Sequence, residues 1–265
     1  MRAFRLAYDG RPYSGFQRQP DVPTVEDVLF DALRDLGVLD GAKPSGYAAA
    51  GRTDAGVSAL AQTVAFEAPE WLTPAALNGD LPGSIRAWAS ADVPDDFHAT
   101  LDATRRIYRY HCYAPDCDDE RVREALEALA GEHDFHNLTT DTEGTVRELE
   151  TQYVRDGDFL VLTFAADGFV RHMVRRIVAL VQAVGSGASD LDRVERVLGP
   201  DPLDGGEGVP TAPATPLVLA AVTYPDLTFD PDPDAVASAR EAFGERRVEA
   251  QTAARVVDDL WRGVE

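Results

Sequence analysis

The stretch Gly51-Arg52-Thr53-Asp54-Ala55-Gly56 sets one guanidinium and one carboxylate between two glycines. Glycine lets the backbone take positive φ or approach a ligand closely, which is typical of a functional loop. Arg52 and Asp54 are two residues apart, so in an extended segment their side chains leave on the same face. A neighbouring guanidinium favours the ionised carboxylate, and an ionised aspartate in a cleft can act as a nucleophile or stabilise a cation. The same residues also fit a surface turn with an ordinary ion pair.

On both sides of this loop, the hydrophobic pattern alternates between strands and helices. Thr24 is placed to cap a helix whose apolar face begins at Val25 and which ends at Gly37. The most apolar helix is predicted over 172–184. The other predicted elements are strands at 4–8, 62–67, 85–91, 105–113, 146–155, 159–165 and 217–224, and a short helix at 120–130.

The last part of the chain has a different character. Pro225, Pro231 and Pro233 lie beside or within residues 226–234, which we therefore expect to form a linker. Residues 235–261 beyond it are polar and amphipathic, and they predict a helical tail.

Charge is the unusual feature of the composition. Among 265 residues, 46 acids face 25 bases, for a formal net charge of −21, and Lys43 is the only lysine. Dense surface carboxylates keep a protein hydrated in concentrated salt, so we favour a halophilic source. A high-GC genome with an acidic bias is the alternative.

The cysteine count and the hydropathy limit the cellular compartments in which the protein is expected. Two cysteines, Cys112 and Cys117, are too few for a disulfide framework or a cysteine zinc site, and they predict a reducing cytoplasm. No apolar run approaches the roughly 18 residues of a membrane span. Residues 1–6 have the pattern of a strand and lack the apolar run of a signal peptide.

A series of short motifs surrounds the Gly51–Gly56 loop in a fixed order. It comprises Tyr8-Asp9-Gly10, Tyr13-Ser14-Gly15-Phe16-Gln17-Arg18-Gln19, Phe97-His98-Ala99, Tyr108-Arg109-Tyr110, Gly131-Glu132-His133-Asp134-Phe135, His172-Met173-Val174-Arg175-Arg176 and Leu217-Val218-Leu219. In this order, across about residues 4–225, the set closely resembles the TruA family of tRNA pseudouridine synthases. The run from Gly51 to Val57 is highly specific.

The resemblance implies a fold and an activity. The expected fold class is α+β: two related α/β halves whose mostly antiparallel sheets form one extended sheet, with the active-site cleft between them. The expected domains are an N-terminal half with the catalytic loop (1–100), a C-terminal half that completes the cleft (101–225), and a linker with a helical tail (226–265). The expected reaction isomerises uridine to pseudouridine in the anticodon stem-loop of tRNA, without metal or other cofactor. Two subunits of a homodimer are expected to contact one tRNA.

The resemblance also implies roles for single residues. Asp54 is the essential carboxylate, which either attacks the sugar or removes a sugar proton. Tyr108 is expected to stack on the flipped base and to help remove its C5 proton, Arg175 to pair with Asp54, and Arg52 to help extrude the base. Leu219 is expected to pack against the uracil. Without the resemblance, Tyr108 and Leu219 would be interpreted as core residues of their strands.

An acidic protein should repel RNA, but salt changes that balance. The Debye length falls from about 10 Å at 0.1 M salt to about 3 Å near 1 M, so at high salt only close contacts count. Arginine suits such contacts because its planar fork binds phosphate bidentately. We therefore expect seven arginines to line one basic cleft: Arg52, Arg105, Arg106, Arg109, Arg171, Arg175 and Arg176.

Two other functions are compatible with the sequence. One is an RNA-binding module of the same fold without catalysis. The other is a glycoside-type hydrolase that uses Asp54, which would need a second catalytic carboxylate near the site. The sequence offers no compelling candidate for that second carboxylate.

Overall fold

The computed structural model describes residues 1–204 and 206–264; Glu265, the last residue of the expected tail, lies outside the described residues, as does Gly205. The strands are β1 (Arg2–Tyr8), β2 (Ala48–Ala49), β3 (Ser58–Phe66), β4 (Ile85–Asp92), β5 (Arg105–Tyr113), β6 (Gly131–Asp134), β7 (Val146–Asp156), β8 (Phe159–Ala166), β9 (Leu217–Thr223) and β10 (Asp230–Pro231). The helices are α1 (Val25–Asp35), α2 (Pro74–Asn78), α3 (Asp119–Leu129), α4 (Met173–Gly185), α5 (Asp192–Leu198) and α6 (Pro233–Gly263), with one 3-10 turn at His136–Leu138.

The strands form one sheet in the order β10-β4-β1-β3-β9-β5-β8-β7-β6, with β2 paired to β3. Neighbouring strands are antiparallel except for β3 and β9, which run parallel with Ala59 opposite Leu219. This parallel pair joins two antiparallel halves into one extended sheet. The expected fold class is confirmed.

The first half is closed by α1 on one face of the sheet. Leu29 and Leu33 of this helix are fully buried in one cluster with Phe4 and Leu6 of β1. The predicted cap is present, because Thr24 Oγ1 accepts a hydrogen bond from the Asp27 N–H at 3.2 Å. The second half repeats this arrangement with α4, α3 and the strands β5, β7 and β8.

Close contact between α3 and α4 depends on one glycine. A Cβ atom added to Gly185 would lie 2.6 Å from Val122 Cγ2, a distance that real side chains do not adopt. Gly185 therefore lets α4 approach α3, while Ile177, Val178 and Val181 of α4 are fully buried toward the sheet. This packing holds α4 against α3 and the sheet; the first turn of α4, at the opposite end from Gly185, borders the site described below.

The segment after Tyr224 is attached to the sheet, which corrects the expectation of a linker at 226–234. β10 pairs with β4, with Asp230 opposite Ser90, and Asp232 then caps α6 by accepting hydrogen bonds from the N–H groups of Asp234 and Ala235. Pro231 lies in an edge strand and Pro233 in the first turn of a helix. Both positions tolerate the missing N–H of proline, so the prolines mark a strand and a helix start here.

The segment where a helical tail was expected forms α6, of which only the first half packs. Ala235 and Ala239 are buried, and Arg246 Nη1 lies 2.9 Å from Asp9 Oδ2. From residue 247 to residue 264, nearly every side chain is exposed, including Leu260 and Trp261 at 65% each. Among the helices of the described residues, none is both long and apolar enough to cross a membrane.

Candidate active site

The Gly51–Gly56 loop leads into β3 at the junction of the two halves. Its backbone is held by the segment that follows β1. The Phe16 N–H donates to Thr53 O at 3.0 Å, and the Gly56 N–H donates to Tyr13 O at 3.2 Å. These contacts, between residues about 40 positions apart, give the loop one defined path.

Two buried side chains of the sheet hold the loop in place. The Tyr8 hydroxyl lies 2.7 Å from Thr53 Oγ1, and the Gln62 amide donates to Gly51 O at 2.7 Å. Burial raises the pKa of Tyr8 well above its usual value, so its phenol stays un-ionised. The loop is thereby tied to β1 and β3, and the direction of the Asp54 side chain is fixed by core strands.

Only one of the two glycines that bracket the loop has the positive φ that favours glycine. Gly56 has a φ of 81°, in the region that favours glycine. Gly51 does not have a positive φ, and a Cβ there would meet no atom within 4 Å. The closest approach comes instead from Gly10, where a Cβ would lie 2.0 Å from Val57 O.

Asp54 is held by an arginine from the other half of the chain. Arg175 Nη1 lies 2.9 Å from Asp54 Oδ2, which agrees with the expected pairing. The same guanidinium donates from Nε to Ala212 O at 2.7 Å. The Asp54 side chain keeps 29% of its surface exposed, so the carboxylate is ion-paired yet accessible.

A second nitrogen faces the same carboxylate oxygen. His172 Nε2 lies 3.6 Å from Asp54 Oδ2. His172 immediately precedes α4 and has a left-handed backbone, with φ 63° and ψ 1°. Positive φ is uncommon outside glycine, and it often marks a functional position.

Tyr108 presents a partly buried phenol near Asp54. Its ring meets Phe169 edge-on, with centroids 5.2 Å apart and an interplanar angle of 90°. Burial, and then the negative charge of Asp54, raise the pKa of Tyr108 to about 12. At neutral pH, this side chain is an un-ionised aromatic surface with a hydroxyl.

These groups share one cleft of about 1230 Å³, larger than the roughly 300–1,000 Å³ typical of small-ligand sites. The charged side chains that line it are the basic Lys43, Arg52, Arg171 and Arg175 and the acidic Glu26, Asp54 and Asp141. Basic groups therefore outnumber acids in the cleft, although the whole chain has a net charge of −21. Within residues 1–204 and 206–264, no cluster of three potential metal ligands occurs.

Comparisons with known proteins give the same family as the motifs. A family model described as tRNA pseudouridine synthase matches residues 125–225. The tRNA pseudouridine synthase A of Haloarcula marismortui is 55% identical over 275 residues, covering 100% of each chain. The chain belongs to the tRNA pseudouridine synthase A family. The member from Halobacterium salinarum is 58% identical over 98% of each chain, and the member from Methanosarcina mazei is 38% identical over 97% of each.

The first two relatives come from halophilic archaea, in agreement with the salt adaptation that the acidic composition predicts. Among solved structures, a chain of an archaeal box H/ACA sRNP Nop10–Cbf5 complex is 14% identical, with a TM-score of 0.39. The match covers 70% of this chain but only 43% of that chain. A likeness this weak adds nothing to the family assignment.

Leu219 was expected to pack against the uracil in the active site of this synthase, but the structure places it elsewhere. Leu219 is 1% exposed, it lies between β3 and β5 opposite Ala59 and Tyr108, and it does not line the cleft. Leu217 lines it instead. Both leucines are buried on the same strand, but Leu217 is the first residue of β9 and lies at the sheet end where the cleft opens.

Arg52 lies at the cleft but does not pair with Asp54. Its side chain is exposed; within the described residues, Asp54 pairs instead with Arg175 and lies 3.6 Å from His172 Nε2. Residues 51–54 do not form a strand, so the expectation of two side chains on one face, which assumed an extended segment, does not apply. Arg52 is therefore an exposed guanidinium among the residues that line the cleft.

The expectation that seven arginines line one cleft holds for three of them, Arg52, Arg171 and Arg175. Arg105 pairs with Glu150, and Arg106 donates to backbone carbonyls, including Ala50 O and Thr100 O. The other two are Arg109, which alternates onto the sheet face opposite Tyr108, and Arg176, which donates to Thr139 O. Sequence alone did not distinguish arginines that satisfy backbone carbonyls from arginines that face a ligand.

The cleft also contains residues that were not predicted as site residues, among them His172 and Lys43. His172 was recognised only as part of a motif, and Lys43 only as the single lysine. The available signal was their rarity: the chain has five histidines and one lysine, and both His172 and Lys43 line the cleft.

Proposed function

We propose that this chain isomerises uridine to pseudouridine in the anticodon stem-loop of tRNA, with Asp54 as its essential carboxylate. The observation that carries the proposal is the position of Asp54. It projects from a loop fixed by Tyr8 and Gln62, pairs with Arg175 of the other half, and remains accessible from a cleft of about 1230 Å³. Membership of the tRNA pseudouridine synthase A family supports tRNA as the substrate.

The reaction is an isomerisation, so its atoms balance without a co-reactant. The N1–C1′ bond breaks, the uracil turns, a C5–C1′ bond forms, and the proton lost from C5 is matched by one gained at N1. Attack on the sugar and removal of a sugar proton are the two first steps open to Asp54. Both need an ionised carboxylate oxygen that faces the ribose, as retaining glycoside chemistry does.

The aromatic side of the cleft fits a base that has left the RNA stack. Extruding a nucleotide costs a few kcal/mol, and stacking on a protein ring offsets part of that cost. Tyr108 offers such a ring, and Phe169 holds it from the side. Exposed Arg52 at the mouth of the cleft is positioned to contact the RNA as the base leaves it.

The second candidate function is a glycoside-type hydrolase, which requires a second catalytic carboxylate close to Asp54. The other acids of the cleft are Glu26 and Asp141. Asp141 is already engaged, because its Oδ2 accepts the Arg171 N–H at 2.8 Å. Glu26 likewise accepts the Arg18 N–H at 3.0 Å. The hydrolase reaction would release free uracil, whereas an isomerase retains it.

Tritium release separates these functions in one assay. A tRNA transcript with uridine tritiated at C5 is incubated with the protein, and released tritium, free uracil and pseudouridine positions are measured. We expect stoichiometric tritium release, pseudouridine within the anticodon stem-loop and no uracil. Binding of the tRNA without tritium release would favour an RNA-binding module, and uracil release would favour the hydrolase.

We further propose that the protein acts as a homodimer in the cytoplasm without metal or other cofactor, with 1–100 and 101–225 as the two sides of the cleft and 226–265 as an appended segment. Cys112 and Cys117 are free thiols, as is typical of a reducing compartment. Sedimentation at high salt tests the dimer, and assay after exhaustive chelation tests the metal.

A further inference from the structure

Both nitrogen neighbours of Asp54 approach the same oxygen. Arg175 Nη1 lies 2.9 Å from Oδ2 and His172 Nε2 lies 3.6 Å from Oδ2. The described contacts leave Oδ1 without a protein partner, while the carboxylate stays 29% exposed toward the cleft. The two oxygens of Asp54 are therefore not equivalent.

The imidazole of His172 reaches Asp54 because its backbone is fixed on both sides. On one side, the Arg171 N–H donates to Asp141 Oδ2 at 2.8 Å. On the other, Met173 is fully buried and its N–H donates to Val170 O at 3.1 Å. Between these contacts the chain turns through a left-handed residue, with φ 63° at His172.

The helix start itself does not need the imidazole. The His172 side chain makes no capping hydrogen bond to α4, whereas capping side chains at other helices of this chain do. Histidine is one of the few residues besides glycine that are enriched at positive φ. Backbone requirements would be met equally by asparagine, so they do not explain why an imidazole faces Asp54.

We propose, on the basis of the function proposed above, that His172 is a positioning residue for Asp54. When the nucleotide fills the cleft, Nε2–H of His172 donates to Asp54 Oδ2, which Arg175 already holds. At 3.6 Å, the contact is too long for a hydrogen bond, and catalytic hydrogen bonds commonly shorten when substrate binds. With Oδ2 held by two donors, the carboxylate cannot rotate, and Oδ1 is the oxygen presented to the ribose.

Two substitutions distinguish the role of the His172 side chain as a hydrogen-bond donor from its role in forming the left-handed backbone. His172→Gln keeps an amide N–H near the position of Nε2, but glutamine is less suited to positive φ. His172→Asn tolerates the left-handed backbone, but its shorter amide cannot reach Oδ2. Stability should therefore follow the order Asn above Gln, while activity should follow the opposite order.

The experiment measures single-turnover tritium release from C5-labelled tRNA, the Kd for the same tRNA and the melting temperature of each variant. We expect His172→Asn to lower the rate constant by about tenfold to a hundredfold, with Kd changed by less than about twofold. His172→Gln should recover to within about fivefold of the wild-type rate, despite a lower melting temperature.

Three results would overturn the assignment. Rates that follow the melting temperatures, with Asn faster than Gln, would mean a structural role. A Kd that rises by the factor that the rate falls would mean that His172 contacts RNA directly. An Asn variant with the wild-type rate would remove any role while leaving the synthase function intact. A wild-type protein that releases no tritium would instead overturn the proposed function, and this inference with it.

Discussion

Arg175 is fixed at two points of one planar group, with Nε on Ala212 O and Nη1 on Asp54 Oδ2. Because the guanidinium is planar, the backbone contact determines the direction from which the charge meets Asp54. A lysine could keep the charge but could not make both contacts. The ion pair therefore sets the direction from which the guanidinium meets the carboxylate of Asp54.

Replacing Asp54 by asparagine should separate binding from chemistry. The amide oxygen of Asp54→Asn can still accept a hydrogen bond from Arg175, so folding and tRNA affinity should stay close to wild type. The lost negative charge removes the group needed at the ribose, and tritium release should fall by about 10³-fold or more.

The matched control is Asp158→Asn, the same chemical change at an exposed turn between β7 and β8, which should leave the rate within about twofold of the wild type. Normal pseudouridine formation by Asp54→Asn would contradict a role for the carboxylate. A loss of melting temperature that matched the loss of activity would point to misfolding instead.

The raised pKa of Tyr108 predicts the alkaline behaviour of the enzyme. Burial and Asp54 raise the pKa to about 12, so the phenol stays protonated from pH 7 to about pH 10. If the un-ionised phenol is the working form, the rate should be flat over that range. A rate that rose about tenfold per pH unit would mean that the phenolate is the active form of Tyr108.

Tyr108→Phe is the companion variant for this test. It keeps the ring that meets Phe169 and removes only the hydroxyl. We expect the single-turnover rate to fall by about 10²-fold and Kd for tRNA to stay nearly constant, because stacking survives. An unchanged rate would limit Tyr108 to stacking.

At the scale of elements, local signals in the sequence predicted most of the scaffold. The Thr24 cap is formed by residues three positions apart, so it could be predicted from spacing alone. The helix at 172–184 was predicted from its apolar periodicity and occurs as α4. The Asp54–Arg175 contact spans 121 residues, and it was predicted only through the family resemblance.

The features that the sequence missed depend on long-range contacts. The left-handed turn at His172 requires Asp141, 30 residues before Arg171. Leu217 and Leu219 have the same type and share a strand, so only the position of the sheet end decides which one faces the cleft. Arg106 is captured by carbonyls of several distant segments, which no spacing reveals.

The two halves of α6 should respond differently to truncation. Removing residues 247–265 deletes side chains that are mostly exposed in the described part, so the melting temperature should change by less than about 2 °C. Removing residues 232–265 also deletes buried Ala235 and Ala239 and the Arg246–Asp9 ion pair. We expect that deletion to lower the melting temperature by about 5–10 °C.

Calorimetry of the two truncated proteins at the same salt concentration measures this difference. Equal losses would mean that the second half of α6 also packs against the protein. If the shorter truncation weakened tRNA binding without changing stability, the exposed half would be an RNA contact.

For the whole molecule, a net charge of −21 makes stability depend on salt. Self-repulsion among surface carboxylates acts over about 10 Å at 0.1 M salt and over about 3 Å at 1 M. Partly buried pairs such as Asp54–Arg175 are screened less than exposed ones. The fold should therefore be strengthened by salt, while the geometry of the site stays constant.

Raising KCl from about 0.1 M to about 2 M should raise the melting temperature by about 10 °C. Thermal unfolding followed by circular dichroism at several KCl concentrations measures the effect, with sucrose as an uncharged control for exclusion from the protein surface. A melting temperature that did not change with KCl would show that the acidic surface does not limit stability.

Lys43 lines the cleft with its ammonium 5.0 Å from the centroid of the Tyr47 ring, and it is the only lysine of the chain. Once the terminal amine has been blocked near neutral pH, where α-amino groups react selectively, a single fluorescent dye can be attached at Lys43. Its emission would change when RNA enters, so the arrival of the substrate could be timed separately from the rearrangement of the uridine. The scarcity of lysine thus makes the protein a natural single-site reporter of its own substrate.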